Sequence, residues 1–511
     1  MQAITPFVLC SAVLLCLQAG AAESFAPTTK PKLILQLEAD FLALRLKVTA
    51  PAGTTAVHYR LLETDGATKV IEGRTSPSSD LRFAIDVPLA TSRWARLDVR
   101  ALKGEEVLAK REIRPDQDEL KLLTAERLNA RSAKERSAWG TYVEKSRTRF
   151  EAEFDLLSAE CRKLGKPKAN PSPGSRAEFE LDSDTPESWF ASDEAKALAD
   201  SVISYQTPTG GWSKGIDYKA GPRAPGTHWT NSQSDDPWHY CGTFDNRSTT
   251  EQIKLLAGVY SATKSEEARA ALQRGLDYMF EAQYPNGGWP QNYPIESGYH
   301  EAITLNDNAL VHILEVLLTL VQKKPPFTFA DEALRQRAKT AFERGIGCLA
   351  AMQVKIDGKP TVWCAQHDPL SLAPEHARTK EPPSLSGGES AEVARFLMRK
   401  APITDQTRAM IDAAMAWFEN HRLTGLRKTQ TAEGKTDYVE DASSKESYWA
   451  RFYDLKTGKA IFPGSQDGIN YPTFREMAAK NKVAYDFMTT KPGDLITKER
   501  QRWMKRLEKE K

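Results

Sequence analysis

A net excess of either charge is nearly absent from this chain: 70 Lys and Arg against 68 Asp and Glu leave a formal +2 over 511 residues. Nucleic-acid and membrane-surface partners draw on a basic excess, so neither is expected, and an anionic ligand must be recognised by local groups. Long apolar runs are lacking too. The candidate, Ile4 to Leu17, is too short to span a bilayer and is followed by Ala19-Gly20-Ala21-Ala22. That is the pattern of an export signal over residues 1–22, implying a periplasmic or extracellular location. It lacks the usual Lys or Arg ahead of the apolar core, and bulky Leu15 argues against lipid attachment at Cys16. Cysteine is sparse: beyond the signal stand only Cys161, Cys241, Cys348 and Cys364, without the close paired spacing of a zinc site. Two disulfides or buried free thiols are both open readings.

What is present reads as a multidomain soluble protein. Hydrophobic residues at 40% and charged residues at 27% fit a globular chain, and its length suffices for two or three cores. Residues 30–115 hold short alternating segments (Leu33–Leu37, Ala43–Val48, Ala56–Leu62, Leu81–Val87, Ala95–Val99) between turn residues, the pattern of an all-β sandwich-like domain. Residues 116–175 are rich in Glu, Lys, Arg and Ala and read as a solvated helical connector ending in a Pro-rich linker. Residues 176–490 are mainly helical, and 491–511 read as a charged tail.

The helical region repeats. Helix-like stretches end at Gln206, Gln283 and Gln353, which are 77 and 70 residues apart. Gln206-Thr-Pro-Thr-Gly-Gly-Trp212 and Gln283-Tyr-Pro-Asn-Gly-Gly-Trp289 nearly match, and Arg274-Gly275 and Arg344-Gly345 each stand nine and eight residues ahead of the later glutamines. Such a period fits one helical hairpin per repeat, stacked into an (α/α) toroid. A Trp at the same point of each unit packs the repeat or, beside a cleft, stacks on a sugar ring.

Three stretches carry chemistry. Thr243-Phe-Asp245-Asn246-Arg247-Ser248 and Thr304-Leu-Asn306-Asp307-Asn308 each lie where a loop becomes a helix. The local explanation is capping, through Ser248-x-x-Glu251 and Thr304-x-x-Asp307. The alternative is a metal site, because carboxylates on separate rigid elements suit calcium, which takes 6–8 oxygen ligands. The third stretch, Trp363 to Ser390, is long, polar and proline-rich, with a helix start near Ser386 and Glu389 three later. A loop of that kind inside a helical domain points to function.

Together, Gln206–Lys214, Thr243–Thr250, Gln283–Tyr293, Ile303–Asn308, Trp363–Ser390 and Trp449–Asp454 resemble the pectate lyases of polysaccharide lyase family ten, over roughly residues 185 to 470. The resemblance implies calcium-dependent β-elimination of α-1,4-linked polygalacturonate. It implies that Asp245 and Asp307 surround the calcium ion (Ca2+) and that Arg378 is the Brønsted base; Lys214, Asn246, Trp289 and Asn306 in the matching motifs are expected substrate contacts, with Lys380 or Arg451 standing in for the later arginine that the family supplies. Two departures stand out: Thr379-Lys380-Glu381 replaces a tyrosine-containing segment, and Ser465-Gln466 precede Asp467-Gly468 where the family supplies an arginine. Two other readings use the same residues. One is a hydrolytic (α/α) glycosidase with Asp245 and Asp307 as acid and base; the other is a pectin-binding homologue without turnover.

Overall fold

The computed structural model describes residues 34–510 apart from 40–42, 51–52, 63–68, 77–81, 89–95, 114–121, 124, 167–168, 175–180, 182–184, 231–241, 296–298, 379, 432, 466–468 and 484. The export-signal stretch, Cys241, Thr379 and the Gln466–Gly468 segment therefore lie outside the described residues. None of the described helices is long and apolar enough to cross a membrane.

The first region is all-β. Strands β1 (Ile34–Ala39), β2 (Ala43–Thr49) and β5 (Arg82–Pro88) form one antiparallel sheet, in the order β1-β2-β5. Strands β3 (Ala56–Leu62), β4 (Lys69–Thr75), β6 (Arg96–Lys103) and β7 (Glu106–Ile113) form a second, ordered β4-β3-β6-β7. Five strands fall on the expected segments. The other two, β4 and β7, carry Lys, Arg and Glu among their apolar residues, so their alternation is blurred.

Helix α1 (Ala133–Lys163) corrects the reading of a solvated connector. Its charged face is solvated, but Trp139 and Tyr142 on the opposite face are buried in the same core as the helical repeats. Tyr142 Oη donates to the Ala282 carbonyl at 2.9 Å, and Arg149 and Lys145 both pair with Glu281. Just upstream, the backbone N–H groups of Leu122 and Leu123 donate to buried Glu301 at 2.8 and 2.9 Å. The charge density that suggested a free helix belongs to one face only.

The repeats form hairpins: α3 (Thr250–Thr263) with α4 (Glu266–Glu281), α5 (Ala309–Val321) with α6 (Glu332–Met352), and α7 (Glu389–Arg399) with α8 (Asp405–Asn420), preceded by α2 (Asp193–Ser204). Helices α3, α5 and α7 pack side by side and are buried along most of their length, whereas α4, α6 and α8 bury one face. The glutamines tie each loop to the next hairpin. Gln206 Nε2 donates to the Gly210 and Ala271 carbonyls, Gln283 to Gly287 and Ala341, and Gln353 to Thr361 and Met410. The Arg-Gly pairs complete the link. Arg274 and Arg344 donate to Gln206 and Gln283, while a Cβ on Gly275 or Gly345 would stand 2.8 Å from Trp212 or 2.9 Å from Trp289.

Two further expectations are corrected. The stretch expected to be a charged tail is docked over residues 491–510: Trp503 of helix α9 (Arg500–Lys509) is buried, and Arg399 grips Glu499 through two bonds of 2.6 and 2.7 Å. Cys161, Cys348 and Cys364 are buried free thiols, so the disulfide reading fails for these three.

Candidate active site

The two acidic junctions are tight left-handed turns. Asn246 and Arg247 have φ of 50° and 63°, and Asp307 and Asn308 have φ of 49° and 62°. Asn and Asp tolerate this region better than other side-chain-bearing residues. Neither turn is a side-chain cap, so the capping explanation does not hold. Helix α3 starts after Thr249 and α5 after Asn308, both without a side-chain cap bond. Glu251 instead accepts from Leu181 N–H and Lys254.

Short pairings bring the junctions and the long loop to one place. Gly242–Thr243 pairs with Asn292–Tyr293, and Ile303–Thr304 pairs with Gln366–His367. Leu305 and Asn306 also donate their N–H groups to the Ala365 carbonyl. Leu385–Ser386 pairs with Phe452–Tyr453, which sets Arg451 beside Glu389. The proline-rich stretch is thus stitched to the second acidic turn on one side and to the C-terminal strands on the other.

Asp245 is buried at 3% exposure. Lys214 Nζ donates to its Oδ2, whereas its Oδ1 is buried with no partner among the described residues. Burial, then the nearby Asp245 carboxylate, pushes the Asp307 carboxyl up to about 6. Two like charges in a dry site resist joint ionisation, so a positive charge between them is electrostatically favoured. Asn306 Nδ2 donates to Asp307 Oδ2 at 2.7 Å, and its Oδ1 accepts from Arg451 at 2.8 Å. Arg451 also pairs with Glu389 at 3.0 Å and lies 4.6 Å over the Tyr485 ring.

Arg378 faces the site in a specific charge state. Its Nε and Nη2 donate to the two oxygens of buried Glu381 at 2.8 and 2.6 Å, and its backbone N–H donates to the same carboxylate. These bonds push the guanidinium above its ordinary value, against some opposition from burial. Tyr299 connects the halves of the site: its hydroxyl, pushed up mainly by burial, senses the charges of Arg378, Lys214, Asp245 and Glu381.

Most of the expected residues therefore converge. Asp245, Asp307, Lys214, Asn306 and Arg451 form one hydrogen-bonded and electrostatic cluster, and Arg378 joins it through Tyr299. Lys380 lies at the edge, its Nζ 4.9 Å over Tyr485. Asn246 borders a small recess with Ser213 and Ser248. Trp289 is corrected: it is 1% exposed, and its indole N–H donates to the Met279 carbonyl, as Trp212 and Trp363 do to Val202 and Leu349. A ring so enclosed cannot stack on a sugar. Reading the sequence missed Glu381, Tyr299 and Tyr485. Only Glu381 carried a local signal, three residues after the arginine.

No described group of three or more His, Cys, Asp or Glu side chains is placed to hold a metal ion. The donors present nevertheless suit a hard cation: two carboxylates, one of which, Asp245, keeps a buried oxygen with no partner among the described residues. They supply fewer oxygens than calcium takes, so the remaining ligands must come from solvent or substrate.

The model of the family described as pectic acid lyase matches residues 206–496. A family 10 polysaccharide lyase from Cellvibrio cellulosa is 31% identical with a TM-score of 0.53, the match covering 63% of this chain and 98% of that one. A point mutant of a family 10 lyase from the same organism, solved in complex with trigalacturonic acid, is also 31% identical with a TM-score of 0.53, covering 62% and 97%. No curated protein matches the chain.

Proposed function

Because the chain belongs to the pectic acid lyase family, we propose that it cleaves polygalacturonate by calcium-dependent β-elimination, with Asp245 and Asp307 as metal ligands and Arg378 as base. The observation that carries this reading is the carboxylate pair with its unpartnered Asp245 oxygen, ringed by Lys214, Arg378 and Arg451. Elimination removes the C5 proton of a uronate ring and breaks the C4–O bond, so charge grows on the C5 carboxylate. Calcium, when bound, supplies positive charge that stabilises that growing enolate.

The chain's own groups do the rest. Lys214 donates to Asp245 and fixes the aim of its side chain, and Arg451 orients Asn306 against Asp307. Arg378 has to lose a proton to accept the one on C5, and its guanidinium ordinarily holds that proton beyond pH ~12. The Glu381 pair favours a second role, in which protonated Arg378 clamps a substrate carboxylate. Lys380 and Arg451 are the cations available for the contact that the Ser465-Gln466 departure removes. Ser465 itself donates to the Lys482 carbonyl.

The wider assignments belong to the same reading. The two sheets are the faces of a sandwich-like module, the hairpins form an (α/α) toroid, and residues 1–22 direct export to where an acidic polysaccharide is met.

Purified full chain incubated with polygalacturonate at alkaline pH should produce an unsaturated uronide that absorbs ultraviolet light, and chelator should abolish it. A rise that persists in chelator removes the calcium role. New reducing ends without absorbance would identify the glycosidase, and binding without product the homologue lacking turnover.

A further inference from the structure

A second cavity, an open groove of about 1240 Å³, runs behind the first acidic turn along α3 and α5. Helical periodicity builds its walls. Glu251, Lys254, Gly258 and Ser261 recur at three- and four-residue steps on one face of α3, and His312 and Glu315 do so on α5. Gly258 is required here: a Cβ would stand 2.4 Å from the Phe190 ring, which rests directly on the helix. Arg247, two residues from Asp245, closes the near end, and Pro325, Pro326 and Lys400 border the cavity as well.

Among the described residues, Lys254, Lys400 and His312 are only partly satisfied. Lys254 donates to Glu251 and Lys400 to Glu315, both at 2.7 Å. An ammonium has three donors, so each lysine retains capacity for a ligand. His312 is 8% exposed, and its Nδ1 is buried with no partner among the described residues. Burial first, then Lys254, Arg247 and Lys400, push the imidazole down to about 3, which keeps it neutral. A simple anion would gain from the cations but be repelled by the glutamates, and an apolar ligand would strand all of them. A molecule bearing both carboxylates and hydroxyls along its length satisfies the set.

We propose that this groove is a second carbohydrate site, binding an acidic oligosaccharide through Arg247, Lys254 and Lys400 to carboxylates and His312 and Glu315 to hydroxyls. Phe190 supplies the face for a sugar ring. The site rests on the reading of the chain as an enzyme acting on polygalacturonate, and it anchors polymer beyond the bond being cut.

Calorimetric titration of the full chain with trigalacturonate in chelator reads binding without turnover. A site is expected that His312→Leu and Lys400→Glu each weaken about tenfold or more and that Arg378→Ala leaves intact. Leucine removes an unpartnered buried nitrogen and Lys400 is exposed, so both variants should fold, which circular dichroism checks. With calcium, both should keep kcat while the half-saturating polygalacturonate concentration rises about threefold. Wild-type binding in both variants, or loss of all binding in Arg378→Ala, overturns the second site. Absence of ultraviolet-absorbing product from the wild type instead overturns the lyase reading, and the titration is read independently of it.

Discussion

Replacing Glu381 with glutamine keeps the side-chain length but removes the charge that Arg378 grips through two bonds. A charge-assisted hydrogen bond contributes about 1.5–3 kcal/mol when shielded. The Arg378 side chain is 51% exposed, so solvent screening reduces the effect of the pair to about 1.4 kcal/mol. That equals about one pH unit in the guanidinium. The sign follows from the proposed chemistry. Glu381 raises the Arg378 value, the base must be deprotonated, and activity therefore rises with pH. In Glu381→Gln the rising limb of kcat should move about one unit toward lower pH, even if imperfect aim lowers the plateau. The assay is kcat against pH by ultraviolet absorbance, with calcium saturating at each point. A limb that stays in place while kcat falls would refute Arg378 as base and leave it as a carboxylate clamp.

Other measurements probe the rest of the molecule. Asp307, raised to about 6, must lose its proton to hold a cation, so half-saturating calcium should climb by up to about tenfold per unit as pH falls below 6; a flat dependence removes Asp307 as ligand. Trp289→Ala should lower stability by about 3–5 kcal/mol in denaturant melts, and a variant that lost only substrate affinity would restore the stacking role. Burial raises Glu153 from 4.5 to about 7 in the fold, so this group costs stability above pH 7 and the cost fades as pH falls toward 4.5. Glu153→Gln should accordingly stabilise the chain at pH 8 by up to about 3 kcal/mol and have little effect near pH 4.5; equal effects at both values would contradict this.

Local periodicity made much of the architecture legible. Gln206, Gln283 and Gln353 announced the repeat because each serves the same carbonyl contacts, and the Arg-Gly pairs announced where a tryptophan must fit. Trp289 illustrates the limit: its spacing identified a repeated role, but only the packing of Gly345 against its ring decides that the role is structural. In the site, Asp245 and Asp307 stood out as carboxylates at loop-to-helix junctions. Tyr299 and Tyr485 did not, since their neighbours come from distant segments joined by two-residue strand pairings that leave no periodic trace. Helix α1 was misjudged because its apolar contacts number a few aromatics among many charges.

The docking of α1 bears on what the smallest stable lyase unit is. The related lyases align with little more than three-fifths of this chain, which invites trimming at the Pro-rich segment near residue 170. Such a cut would uncover the Tyr284 and Tyr293 faces that Trp139 and Tyr142 now cover, and remove the Arg149 and Lys145 pairs from Glu281 and the Leu122 and Leu123 N–H bonds from Glu301. The fragment would carry a sticky aromatic patch on the back of its own repeats. A minimal enzyme should instead begin near residue 122, so that the long helix travels with the catalytic unit and only the two sheets are left behind.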